Sequence, residues 1–138
     1  MDGFLTRPVP IVFTVCKGVQ QIVDGTFNVL SVFDRVNLYR MPDGTVPEMV
    51  TLPTVTVWTG GQGDFKQVLR ILNPDGAEIL SQETEFQLKS TSQRHYIFSV
   101  VSIPAAEGVY TLTVGRPDME LLRQDFTVGF VPFPGTPQ

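Results

Sequence analysis

The sequence predicts an all-β fold, an antiparallel β-sandwich of seven to eight short strands. Three observations carry that expectation. Apolar residues recur with period two rather than 3.6 along most of the chain. Twelve glycines and eleven prolines in 138 residues force frequent reversals. Turn signals stand between the apolar runs at the spacing of a sandwich or barrel. No stretch patterns as an amphipathic helix, and residues 19–23 are too few to make one.

Residues 11–16 read as the first strand. Val23-Asp24-Gly25-Thr26 then carries the Asp-Gly signal of a hairpin. Residues 27–33 form the second strand. Its alternation slips near Leu30 and Ser31, so either both faces are covered or a bulge sits there. Residues 34–50 are the longest segment without strand periodicity and read as a loop. Residues 51–59 make the third strand, with Pro53 arguing for an edge or a strand start. Gly60-Gly61-Gln62-Gly63-Asp64 is a flexible connection. Residues 66–72 follow as a strand, closed by Asn73-Pro74-Asp75-Gly76, which suits a tight turn.

In residues 77–88, Thr84, Phe86 and Leu88 share a face. In residues 95–101, Tyr96, Phe98 and Val100 lie on one side, with Ile97 and Val101 on the other. Apolar residues on both sides suggest a central strand or one beneath a partner. Residues 109–114 alternate cleanly, with Tyr110, Leu112 and Val114 inward. Arg116-Pro117-Asp118-Met119 turns the chain, and residues 120–128 return with Phe126 and Val128 inward. Residues 129–138 contain three prolines and read as a tail. The expected organisation is therefore one domain over residues 1–128 and a tail over 129–138.

Composition bounds the function. Hydrophobic residues make up 42% of the chain, enough for one core. Charged residues make up only 17%, so part of the surface is expected to be apolar and covered by a partner. A net charge of -4 with scattered cations argues against nucleic acid or an anionic membrane as partner. Cys16 is the single cysteine, so no internal disulfide can form. The first residues lack a basic stretch followed by a long apolar one, which sets a cytoplasmic expectation.

Glu107-Gly108-Val109-Tyr110-Thr111-Leu112 resembles the start of the penultimate strand of immunoglobulin-like domains. There a glycine turn precedes a tyrosine whose hydroxyl bonds back to the corner. Tyr110 matches that tyrosine, and Leu112 stands where antibody domains have their second cysteine. Further pieces are similar to a family of uncharacterised bacterial proteins of this fold: Phe27-Asn28-Val29-Leu30-Ser31-Val32-Phe33-Asp34-Arg35, Leu72-Asn73-Pro74-Asp75-Gly76, Gly108-Val109-Tyr110 and Asp125-Phe126-Thr127-Val128. The resemblance implies an immunoglobulin-like β-sandwich and brings no activity.

The residues offer little chemistry. A nucleophilic pair would need Cys16, the only thiol, beside His95, the only histidine, yet each falls mid-strand. Zinc needs three or four soft or imidazole ligands, which one His and one Cys do not supply. Six Asp residues lie near strand ends, but without the spacing of a calcium loop. Glu83 and Glu85 share one strand face, whereas glycosidase carboxylates flank a cleft. Gly60-Gly61-Gln62-Gly63 lacks the Lys-Ser/Thr of a phosphate loop. No catalytic residue, metal site or cofactor is assigned.

Binding is the expectation, by a protein-interaction or assembly module with a protein partner or a second copy. By alternation Val55 and Val57 face one way, and Thr54, Thr56 and Trp58 the other. Either the valines are core and Trp58 is exposed, or the phase slips at Pro53 and Trp58 is the core tryptophan. An exposed Trp58 would suit the alternative, a carbohydrate-binding module, because a tryptophan face stacks on sugars. Asp34 and Arg35 open the long segment that also holds Arg40, either as an ion pair that fixes it or as the start of a recognition surface. Phe130 and Phe133, set among prolines, suit an extended arm laid in a groove. The expected interaction surface is Asp34, Arg35, Arg40, Trp58, Phe130 and Phe133. An enzyme is the least favoured alternative.

Overall fold

Successive side chains on a pleated strand point to opposite faces, and here the inward sets close two sheets on one another. The computed structural model describes residues 7–21 and 27–134. They contain nine strands: β1 (Val9–Gln21), β2 (Phe27–Val32), β3 (Arg35–Arg40), β4 (Met49–Thr59), β5 (Gly63–Leu72), β6 (Glu78–Leu88), β7 (His95–Pro104), β8 (Gly108–Arg116) and β9 (Met119–Pro132). The smaller sheet runs β2-β1-β4-β7 and the larger β3-β9-β8-β5-β6. Every pairing is antiparallel except β3 with β9, which is parallel. The order β9-β8-β5-β6 follows the G-F-C-C′ face of variable-type immunoglobulin domains, and β1-β4-β7 follows A-B-E. The fold is an immunoglobulin-like sandwich.

Several strands run longer than expected, β1 from Val9 to Gln21 among them, and four features of the chain path differ from expectation. Residues 34–50 are not one loop: β3 occupies Arg35–Arg40 and supplies the strand beyond eight. Val36 and Leu38 turn inward from it onto the core. Gly129 lets β3 approach β9; a Cβ there would sit 2.9 Å from Arg35 Nη2. Residues 129–132 are not tail but the end of β9, and Pro132 closes the ladder against Arg40. The third change concerns β7, an edge strand rather than a central one. Its Ile97 and Val101 are the inward residues, while Phe98 and Val100 are exposed. Lastly, β4 continues through Pro53, at a point where its pairing with β1 has already ended at Thr54. A residue without an N–H thus lies where β4 has a single neighbour.

The turn at 73–76 forms as expected, with Gly76 N–H donating to the Asn73 carbonyl at 2.9 Å. Ser31, where the alternation slips, has a φ of 54°. The hairpin signal at residues 23–26 and the last residues, 135–138, lie outside the described part, as does the side chain of Leu30.

The core has two centres. Leu52, Leu69, Ile71, Ile103, Leu112 and Phe126 form the middle of the larger one. Leu112, at the position of the missing cysteine, packs in the same cluster as Leu52 of β4, so apolar contact replaces a disulfide between the sheets. Trp58, Phe86, Leu88, Ile97 and Val114 form the smaller cluster at one end.

Tyr110 lies fully buried at the start of β8. Its hydroxyl donates to the Pro104 carbonyl at 2.6 Å and accepts from the Ala106 N–H at 2.8 Å. These bonds tie the end of β7 to β8, as the tyrosine corner requires. Gly108 enters this corner with φ 139°, and a Cβ on it would lie 2.8 Å from Pro74 Cβ. Removing only the hydroxyl, in Tyr110→Phe, leaves both backbone groups without this partner. The expected loss is about 1–3 kcal/mol, read as a lower urea midpoint with unchanged slope.

Candidate interaction surface

Trp58 is corrected first. It is 0% exposed, and its Nε1–H donates to Gln67 Oε1 on β5 at 2.7 Å. The ring packs on Phe86, with centroids 5.1 Å apart. The alternation does not slip at Pro53: Trp58 shares the inner face with Thr54, Thr56 and Leu52, all buried. Val55 and Val57 lie on the opposite face of β4 and are buried as well. Trp58 therefore cannot stack a sugar or anchor a partner, and leaves the candidate surface.

The other proposed residues gather along β3 and the end of β9. Asp34 accepts through its backbone carbonyl from Thr127 N–H at 2.8 Å, which opens the parallel ladder. Arg35 does not pair with Asp34; its Nε donates to Asn37 Oδ1 at 3.1 Å. The Arg40 guanidinium lies 5.5 Å from the centroid of the Phe130 ring, a cation–π contact. Phe133 N–H donates to the Arg40 carbonyl at 3.1 Å, and its ring meets Tyr39 edge-on at 5.5 Å. The expected aromatic arm is thus docked against its own domain.

Beside these residues the chain returns through a turn in which Met41 N–H donates to the Thr45 carbonyl at 2.8 Å. Asp43 accepts from both the hydroxyl and the N–H of Thr45, and these bonds hold its carboxyl below the ordinary value. Between β3 and this turn lies a groove of about 470 Å³. Leu38, Tyr39, Met41, Val46, Pro47 and Phe133 supply its apolar lining. Tyr39, Met41 and Phe133 are exposed there. Alternation could have placed Val36 and Leu38 inward and Tyr39 outward. No local pattern marked Met41 or Val46.

A second depression, about 830 Å³, lies between Phe65 and Phe86 and the turn at 116–118. It is lined by both charges. Arg116 is held there by the Pro8 carbonyl, 2.7 Å from Nη1, and by Asp118, 3.5 Å from Nε.

The chemical candidates are apart. Cys16 is buried one residue beyond the Val15–Thr54 pair, while His95 pairs with Trp58. About five strand residues, roughly 16 Å, separate the two levels. His95 stacks on Phe86, centroids 5.4 Å apart. Among the described residues no three His, Cys, Asp or Glu side chains converge as a metal site.

Two measurements test this placement. Trp58→Phe opens a void and leaves buried Gln67 without its donor, so it is expected to cost about 2–4 kcal/mol. Adding Gln67→Leu removes the stranded acceptor and should recover part of that loss in the same urea titration. Burial lowers the His95 pKa from its ordinary 6.5 by disfavouring the charged imidazole. Above 6.5 the ring is neutral in both states. As pH falls below 6.5 the unfolded chain takes the proton first, and stability is lost down through the folded value. The urea midpoint should therefore fall from about pH 7.5 to about pH 5 more steeply in the wild type than in His95→Gln.

Among solved structures, an immunoglobulin-like protein from Pseudomonas aeruginosa is similar to this chain at 14% identity, over 90% of this chain and 98% of its own, with a TM-score of 0.46. No curated protein matches. Residues 11–129 match a family of unknown function, DUF6941, and the chain belongs to that family.

Proposed function

We propose that this protein is an interaction module that acts by binding and not by catalysis, and that its binding surface is the β3 edge with the groove beside it. The occupant is an extended segment of a partner protein. One observation carries the reading: an open sheet edge adjoins an apolar groove whose Tyr39, Met41 and Phe133 are left exposed. Edge strands present unpaired backbone groups that an incoming strand can satisfy, while side pockets select its residues. Aromatic and methionine side chains adapt to such segments and dominate interface energies. Arg40, fixed over Phe130, adds a positive group at the end of the edge. The net charge of -4 disfavours nucleic acid as the occupant.

The test is affinity capture from native lysate, with partners identified by mass spectrometry. Wild type and Tyr39→Lys/Phe133→Lys are compared at matched folding by circular dichroism. A partner retained by the wild type and lost by the double variant is expected. Backbone amides of residues 36–40 should then become protected from hydrogen exchange in the complex. Identical capture by both proteins would overturn the reading.

A further inference from the structure

The ladder between β3 and β9 fixes where the backbone of β3 points. The Asp34 carbonyl accepts from Thr127 N–H at 2.8 Å, and the Arg40 carbonyl accepts from Phe133 N–H at 3.1 Å. Along a strand, successive residues turn their N–H and C=O groups to opposite edges. Residues 34, 36, 38 and 40 therefore face β9. Arg35, Asn37 and Tyr39 face the open edge with both groups, and all three residues are exposed. Among the described residues no backbone or side-chain group bonds to them there.

Asp34 and Arg40 stand at the two ends of this edge. Neither side chain has an ion-pair partner among the described residues. Between them the strand is nearly symmetric about Asn37. Val36 and Leu38 flank it on the half-buried inner face, and Arg35 and Tyr39 flank it on the exposed one. At the other end of the same sheet, β6 carries Glu78, Glu83 and Glu85 and no cation, so two copies meeting there would oppose like charges.

We infer that β3 pairs antiparallel with β3 of a second copy of the chain, about a two-fold axis through Asn37. This rests on β3 being the docking edge and names the segment that docks. The axis sets Asn37 opposite its own copy, Val36 opposite Leu38, Arg35 opposite Tyr39 and Asp34 opposite Arg40. Arg35, Asn37 and Tyr39 of the two copies then exchange about six N–H···O bonds, which uses every free backbone group of the edge. Each end brings opposite charges together, and each Arg35 meets an aromatic ring. Moving the axis by one residue leaves Arg35 or Tyr39 facing beyond the strand and parts Asp34 from Arg40. An isologous contact needs a patch complementary to itself, and this edge is one in both hydrogen bonds and charge. That selects a second copy over a foreign segment. The chain path allows it. Opposite Arg40 the incoming strand ends at Asp34. The preceding residue, Phe33, is bonded to Val15 in the other sheet, so the copy departs before it reaches the turn bonded to Met41.

Analytical ultracentrifugation of the full chain from roughly micromolar to hundred-micromolar concentration tests this. The expected result is a monomer–dimer equilibrium. Asp34→Arg and Arg40→Asp each place like charges across the axis and should weaken it roughly fivefold or more. Asp34→Arg/Arg40→Asp restores both pairs with their signs exchanged and should recover the association. Asn37→Pro removes an N–H that faces the open edge and no bond to β9, so it should abolish the dimer. Thermal midpoints of the dilute variants check that each is folded. In the wild-type dimer, amide exchange should slow at residues 35, 37 and 39, and stay as in the dilute monomer at 36 and 38, which β9 already protects. A monomer at every concentration overturns the inference; a foreign protein still captured through Tyr39 and Phe133 would then leave the groove reading standing without it. A dimer indifferent to Asn37→Pro, one that the paired charge reversal fails to recover, or one without slowed exchange at 37 also overturns it.

Discussion

The phase of β4 is the constraint on which the rest depends. A strand has two faces, and a slip of one residue exchanges them. In β4 both faces are apolar enough to be core, so alternation alone cannot choose. Trp58 chooses. Its indole needs a large void and a partner for its N–H, and both exist only between the sheets, against Phe86 and Gln67. Once Trp58 is inside, Leu52, Thr54 and Thr56 follow it, and Thr54 Oγ1 satisfies itself on the Ser99 carbonyl at 3.3 Å. Val55 and Val57 are then committed to the opposite face of β4, where both are also buried. The apolar character of that second face is therefore a direct consequence of how one tryptophan is buried.

The second organising feature is how the chain passes between the sheets. It leaves the edge of the smaller sheet at β2 and joins the edge of the larger one at β3. There it pairs in parallel with β9, the last strand. This pairing draws residues 129–132 into the sheet and brings Phe130 under Arg40 and Phe133 beside Tyr39. The groove exists because a six-residue strand ends in a turn that folds back alongside it.

Local chemistry explains what the sequence disclosed. Asn73-Pro74-Asp75-Gly76 and Tyr110 act through contacts a few residues away, so their roles are legible without knowing the fold. Phe126 and Val128 alternate in a strand with one wet face, and their burial was legible too. β3 was not, because only Val36 and Leu38 among its six residues turn inward. Its partner lies some ninety residues further on, at Thr127 to Pro132. Nor was the edge position of β7. Outward Phe98 and inward Ile97 look alike in a sequence, and only the ladder to β4 separates them. Of the candidate residues, Arg35, Arg40, Phe130 and Phe133 came together, Asp34 contributes its backbone, and Trp58 was lost to the core.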